Sequence, residues 1–216
     1  LLGAIADVQG DHLRFKRNHV ALLDALLEET QIVDVDETFA QLRERLHSFA
    51  GVEAVDANEN FRGSLRQYQR EGLGWLEFLR WFGMGGILAD DMGLGKTVQV
   101  LAMLERYYQD GQNEHRPSLV VAPKSVVFNW LDEAQRFVPE MKIVSYSGPD
   151  RHDLRQQFAD AHLIVTSYGL IRRDIEQLLE HEFAYAILDE AQAIKNPASQ
   201  SAKAVNLLKT RQRLAL

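Results

Sequence analysis

From residue 62 onward, short apolar runs alternate with segments of helix length. The runs are Gly86–Ala89, Leu119–Ala122, Ile143–Tyr146, Leu163–Thr166 and Ala186–Asp189, with a last one beginning at Leu214. Between them the spacing predicts helices near 97–110, 126–137, 151–160, 169–181 and 199–209. They follow a first helix at 65–81, with Tyr68, Leu76 and Leu79 facing inward. Ser125 stands where the N-cap of the 126–137 helix belongs. Such alternation predicts an α/β fold: a parallel sheet covered by helices on both faces. In open sheets of this type, ligands bind beyond the carboxyl ends of the strands.

The first 60 residues follow another pattern. His12 to Lys16 reads as extended, Val20–Leu27 as a helix with apolar positions three and four apart, and Asp36–Phe49 as a second helix. The second helix carries Phe39, Leu42, Leu46 and Phe49 on one stripe, and Gly51 to Asn60 reads as a linker. Charge changes at the same place. Residues 1–60 hold 5 Lys and Arg against 12 Asp and Glu, whereas the rest of the chain holds 19 of each. All of the net −7 therefore lies before residue 61, and neither part is a basic nucleic-acid footprint. The expected division is an acidic, mostly helical segment over 1–60 and a sheet-based unit over 61–216.

Composition excludes several classes. No cysteine is present, so there is no disulfide framework and no thiolate metal site. The histidines are scattered without ligand spacing, so no zinc site is expected. No apolar run approaches the ~20 residues of a membrane span. The first six residues make a poor signal peptide. A cytoplasmic protein without membrane contact is expected, and the missing initiating Met points to an excised fragment.

The segment carrying the most chemistry is Asp90-Asp91-Met92-Gly93-Leu94-Gly95-Lys96-Thr97. It lies between an apolar run and a helix, so backbone N–H groups and the helix dipole favour an anion there. Gly93 and Gly95 let the backbone wrap a phosphate. Lys96 would reach the β- and γ-phosphates, and the Thr97 hydroxyl would hold Mg²⁺. Asp90 departs from the general phosphate-loop pattern, which has glycine six residues before the lysine. Read alone, the glycines and lysine could be a helix cap with an exposed side chain. A second acidic feature, Asp189-Glu190, ends an apolar run 93 residues after Lys96. Asp189 would share the Mg²⁺ with Thr97, and Glu190 would orient and deprotonate the attacking water. Alone, such a dipeptide is more often solvated surface. Trp75, Trp81 and Trp130 read as packing residues rather than base-stacking platforms.

Six strings in order then resemble the first RecA-like lobe of the Swi/Snf family of helicase-like DNA translocases, within the superfamily-two helicases. LRQYQREG at 65–72 resembles the Q motif, ILADDMGLGKT at 87–97 motif I, and LVVAPKSVVFNWLDE at 119–133 motif Ia. IVTSYGLIRRD at 164–174 resembles motif Ib, DEAQAIKNPASQSAKAV at 189–205 motif II and its extension, and RLAL at 213–216 the opening of motif III. The likeness covers roughly residues 62–216, and motif I includes Asp90. DEAQ in place of DEGH points to a bacterial or archaeal member, which would act in the cytoplasm on the nucleoid.

The resemblance implies a role for each matched residue. Asp91, Met92, Gly93, Leu94, Gly95, Lys96 and Thr97 would cradle ATP. Gln69 would read the adenine edge, and Gln192 would sit between the nucleotide and a neighbouring lobe or DNA. Lys124 and Ser125, with Thr166, Ser167 and Tyr168, would face the backbone of duplex DNA without reading its sequence. A second RecA-like lobe would complete the motor, so the present chain alone would hydrolyse ATP very slowly. Residues 1–60 resemble the end of an accessory region. Two other readings stay open: an RNA helicase lobe of a sister family, and a nucleotide-dependent protein-docking module without turnover.

Overall fold

The computed structural model describes residues 7–9, 12–15, 19–27, 35–47, 51–111 and 115–216. At the start, β1 (Asp7–Gln9) and β2 (His12–Arg14) form an antiparallel ribbon. Helices α1 (Val20–Leu27) and α2 (Glu37–His47) follow, close to the two expected. Val20 and Leu42 meet Phe82, with Phe39, Leu46, Phe78 and Met84 around them. Lys16 and Phe49, which figured in those expectations, lie outside the described residues.

Residues 51–61 then run along α3 (Gln67–Trp81) and α4 (Lys96–Gln109) instead of bridging open space. Val55 donates its N–H to Arg70 O at 3.0 Å, and Arg106 Nη1 donates to Asp56 O at 3.0 Å and Asn58 Oδ1 at 2.6 Å. Val55 and Ala57 also pack on the core, which is why this expected linker is tied down.

The apolar runs assemble into one sheet of six strands in the order β3-β8-β7-β4-β6-β5, every neighbouring pair parallel. Its strands are β3 (Gly86–Ile87), β4 (Ser118–Ala122), β5 (Ile143–Ser145), β6 (Leu163–Ser167), β7 (Phe183–Leu188) and β8 (Thr210–Ala215). The inner strands β4, β6 and β7 are buried at every residue, as the near-continuous apolar runs require when helices cover both faces. Alternate residues feed two cores. Val120, Val165 and Ile187 join α3, α4 and α5 (Val127–Phe137) on one face. Val121, Ile164 and Leu188 join α6 (Tyr168–Arg173) and α8 (Gln200–Leu207) on the other. Helix α4 buries Val100 to Leu104 almost completely, so each large side chain there is worth about 1.5–3 kcal/mol. Leu101→Ala would open a cavity costing about 2–5 kcal/mol.

Several elements differ from the expectations. The first strand is only Gly86–Ile87, at the sheet edge, where β8 pairs with it and Gln212 Nε2 donates to Leu79 O and Met84 O. The helix at 151–160 is a 3₁₀ segment over Asp153–Asp160. The helix at 169–181 is broken into α6 and α7 (Ile175–Leu178). The break falls at buried Asp174, whose carboxylate receives Arg151 Nη2 at 2.8 Å and Tyr146 Oη at 3.2 Å. Ser125 is not an N-cap: α5 starts after Val126, without a side-chain cap bond, because the turn Pro123–Val126 comes first. Ser199 does cap α8, accepting from Ala202 N–H at 3.2 Å.

Candidate active site

Because the sheet is parallel, the carboxyl ends of β3, β7 and β8 share one edge. Ile87 pairs with Ala215, and Ala215 pairs with Leu188. The strand entering the glycine loop and the strand entering Asp189 thus end level, separated only by β8. Two strand spacings amount to about 10 Å. The sheet register brings together the two features that lie 93 residues apart in sequence.

The glycine loop is held from beneath by α3. Tyr68 Oη and Gln69 Nε2 both donate to Leu94 O, at 3.1 and 3.0 Å. Gln69 Oε1 accepts the Arg66 N–H at 2.9 Å, which closes the first turn of α3. One Nε2 hydrogen and one Oε1 lone pair of Gln69 remain for another partner. Gly95 takes φ 78° as it opens α4, and a Cβ there would lie 2.6 Å from Gln69 Nε2. Lys96 Nζ lies over the loop, donating to Asp90 O at 2.6 Å. Asp91, Met92 and Gly93 form the exposed tip, Thr97 is half-buried, and Met92 is 83% exposed.

The structure accounts for Asp90. Its Oδ2 accepts Gln99 Nε2 at 2.9 Å, and Gln99 is wholly buried. Gln99 in turn needs Gly72, where a Cβ would sit 1.9 Å from its Oε1. A carboxylate replaces the usual glycine because a buried amide and a missing side chain make room for it.

At the opposing strand tip, Asp189 is 8% exposed and accepts one bond at each carboxylate oxygen and one at its carbonyl. Trp130 Nε1 donates to Oδ2 at 2.7 Å, Glu190 N–H to Oδ1 at 2.9 Å, and Tyr168 Oη to the Asp189 carbonyl at 2.9 Å. Glu190 follows in the left-handed region, at φ 52°, as no other non-glycine residue does among those described. Such backbone strain clusters at functional sites. The Glu190 carboxylate accepts from Gln192 Nε2, and Ala191 N–H donates to Leu216 O at 3.1 Å. Burial, then the charges of Asp189 and Glu190, pushes the Tyr168 hydroxyl well above its usual range. Glu133, half-buried one turn beyond Trp130, is raised by burial, then by Asp132, with a smaller push from Asp189.

The residues expected to face DNA differ in exposure. Thr166 is fully buried and its Oγ1 donates to Tyr146 O at 2.9 Å, so its side chain points into the fold. The Tyr168 side chain is likewise used on Asp189 rather than presented outward. Ser167 is also buried, at the start of α6. Lys124 and Ser125 are exposed in the turn after β4. Sequence reasoning missed Trp130 and Gln99. The signal for Trp130 was its N–H, which needs a partner once the ring is buried. Among the described residues no group of three or more His, Cys, Asp or Glu has metal-holding geometry, and no helix is long and apolar enough to cross a membrane.

A parallel sheet with a glycine loop and an acidic strand tip on one edge defines a RecA-like α/β lobe. The model of the SNF2-related domain matches residues 68–216, and the chain belongs to that family. It is 35% identical to YwqA of Bacillus subtilis, covering 89% of this chain and 22% of that protein. It is 40% identical to the chromatin-remodeling ATPase INO80 of Arabidopsis thaliana, covering 75% of this chain and 11% of that one. The fold superposes on the Sulfolobus solfataricus SWI2/SNF2 ATPase core, solved in complex with dsDNA, with a TM-score of 0.69. That match has 39% identity and covers 78% of this chain and 34% of the other. The chain therefore spans a minor part of the relatives it matches. Since bacterial and plant proteins match alike, DEAQ does not assign this chain to a bacterium.

Proposed function

We propose that this chain is the ATP-binding lobe of an ATP-dependent motor that moves along duplex DNA. The observation that carries the reading is the level placement of the Lys96 turn and the Asp189 tip across β8. Backbone N–H groups from Gly93 to Thr97 would cradle the phosphates at the start of α4. Lys96 would exchange its bonds to the loop carbonyl groups for phosphate oxygens. Gln69 has the free donor and acceptor needed for an adenine edge.

The residues fit Mg²⁺. Each Asp189 carboxylate oxygen accepts one hydrogen bond and keeps a lone pair, and Thr97 adds a hydroxyl at the other wall. Such hard oxygen donors, with phosphate and water, suit a small divalent ion. When bound, that ion would neutralise charge on the phosphoryl oxygens. Glu190 would orient and deprotonate the attacking water; Gln192 donates to the Glu190 carboxylate and would lie between the nucleotide and a neighbouring lobe or DNA.

Duplex DNA as partner is supported by the dsDNA bound to the Sulfolobus core and by the exposed Lys124 and Ser125. Residues 61–216 would be the first lobe and 1–60 the end of an accessory region. A second lobe would close on this edge and supply the arginines that stabilise the transferring phosphoryl group. The motor would act wherever cellular DNA is packaged, the nucleoid in a bacterium.

The test is nucleotide binding and DNA-stimulated hydrolysis by the full-length protein. Lys96→Ala should lose nucleotide affinity. Glu190→Gln should keep binding and lose hydrolysis by two to four powers of ten, the usual worth of a general base, about 10²–10⁴. A Lys96→Ala protein with wild-type turnover would overturn the assignment. Equal stimulation by RNA and by duplex DNA would favour the sister-family helicase.

A further inference from the structure

We infer that Trp130 and Tyr168 are positioning residues that set the direction of the Asp189 carboxylate, and that Trp130 links this carboxylate to the exposed Lys124–Ser125 turn. The inference rests on the nucleotide site proposed above. Trp130 is completely buried in the core on one face of the sheet, whereas Tyr168 belongs to the core on the other. Their polar ends converge on one residue from both sides: the indole N–H on Asp189 Oδ2 at 2.7 Å, the phenol on the Asp189 carbonyl at 2.9 Å. An indole can only donate, so a bond to a carboxylate fixes which oxygen faces it. A charged acceptor also makes that bond roughly twice as strong as a neutral one. With Glu190 N–H on Oδ1, neither the carboxylate plane nor the backbone beneath it is free to turn.

The same helix reaches the opposite way. The Trp130 backbone N–H donates to Val126 O at 3.2 Å, and the Val126 backbone N–H donates to Pro123 O at 2.9 Å. Lys124 and Ser125 lie inside that turn, so a phosphate that shifts them moves the first turn of α5 and the indole with it. A purely packing role would leave the carboxylate indifferent to the loss of the N–H. A positioning role would not.

Trp130→Phe keeps most of the buried ring and deletes the donor, and Tyr168→Phe deletes one hydroxyl. In the full-length protein, a fluorescent ATP analogue is titrated with Mg²⁺, with EDTA, and with Mg²⁺ plus duplex DNA. Trp130→Phe should bind in EDTA like wild type, yet lose about 10–100-fold of the tightening that Mg²⁺ brings, the range seen when a ligand's hydrogen-bond support is removed. Tyr168→Phe should lose less, within about tenfold. Any effect of DNA on Mg²⁺-nucleotide affinity should shrink in Trp130→Phe. The Trp130 indole proton resonance, assigned by its absence in that variant, should shift with Mg²⁺-nucleotide but not with nucleotide in EDTA.

Wild-type Mg²⁺ dependence in both variants would overturn the inference. If Trp130→Phe does not fold, Tyr168→Phe alone decides, and an unchanged Mg²⁺ gain there overturns it. A wild-type protein that binds nucleotide without any Mg²⁺ dependence would instead remove the proposed site, and this inference with it.

Discussion

The two walls of the proposed site are built by different means. The glycine loop is a backbone device. It uses left-handed glycines, and α3 holds it through one carbonyl group, that of Leu94. The Asp189 tip is a side-chain device, gripped by two buried aromatic residues from opposite faces of the sheet. With its start anchored at Asp90 by Gln99, the exposed tip from Asp91 to Gly93 can rearrange around an entering phosphate at the cost of a bond or two. A carboxylate fixed by core residues can turn only if the core shifts. The difference assigns adaptation to the loop wall and geometric precision to the acidic wall.

The largest break should come from a distance. Arg151 and Asp174 form a buried pair just after α6, the helix that begins with Tyr168. Arg151→Met would leave Asp174 buried without its cation, costing about 3–5 kcal/mol of stability. Chemical denaturation measures that loss, and a change under 1 kcal/mol would show that α6 does not depend on the pair. Gly72→Ala attacks the loop wall by pushing Gln99 away from Asp90, with an overpacking cost of about 1–3 kcal/mol. Its nucleotide affinity should fall as well, because Asp90 anchors the start of the loop.

Tyr68→Phe removes one of two donors on Leu94 O and should cost about 1 kcal/mol or less, with nucleotide binding nearly kept. Strong loss of binding there would mean that the loop is less adaptable than its construction implies. The smallest expected effect is on acid stability. Hydrogen bonds from Arg151 hold the Asp174 carboxyl below its ordinary 3.8, so the pair's contribution is complete above about pH 4 and is lost as pH falls through the depressed value. Urea midpoints between pH 5 and 2 should fall less steeply in Asp174→Asn than in wild type.

Much of this molecule is legible in its sequence. Apolar runs too continuous for a half-exposed sheet specify strands covered on both faces, and β4, β6 and β7 lie within a residue or three of where the runs place them. Helix boundaries fail where tertiary contacts intervene. Nothing local at Asp174 announces a helix break, because Arg151 and Tyr146, which hold it there, are more than twenty residues upstream. Ser125 has good capping chemistry, yet a turn set by Pro123 and Val126 moves the helix start past it.

Sequence by itself determined the strand–loop–helix unit around Lys96, the acidic end of β7 and the family, because each is a local string with a fixed backbone requirement. Only the tertiary structure decided where side chains at strand ends point. Thr166 and Tyr168 turn inward, Trp130 reaches Asp189, and Gly72 makes room for the Gln99 that holds Asp90. Where a strand ends, the two-residue alternation that fixes side-chain direction ends as well. Direction there is set by whichever buried donor lacks a partner, and those donors come from distant parts of the chain.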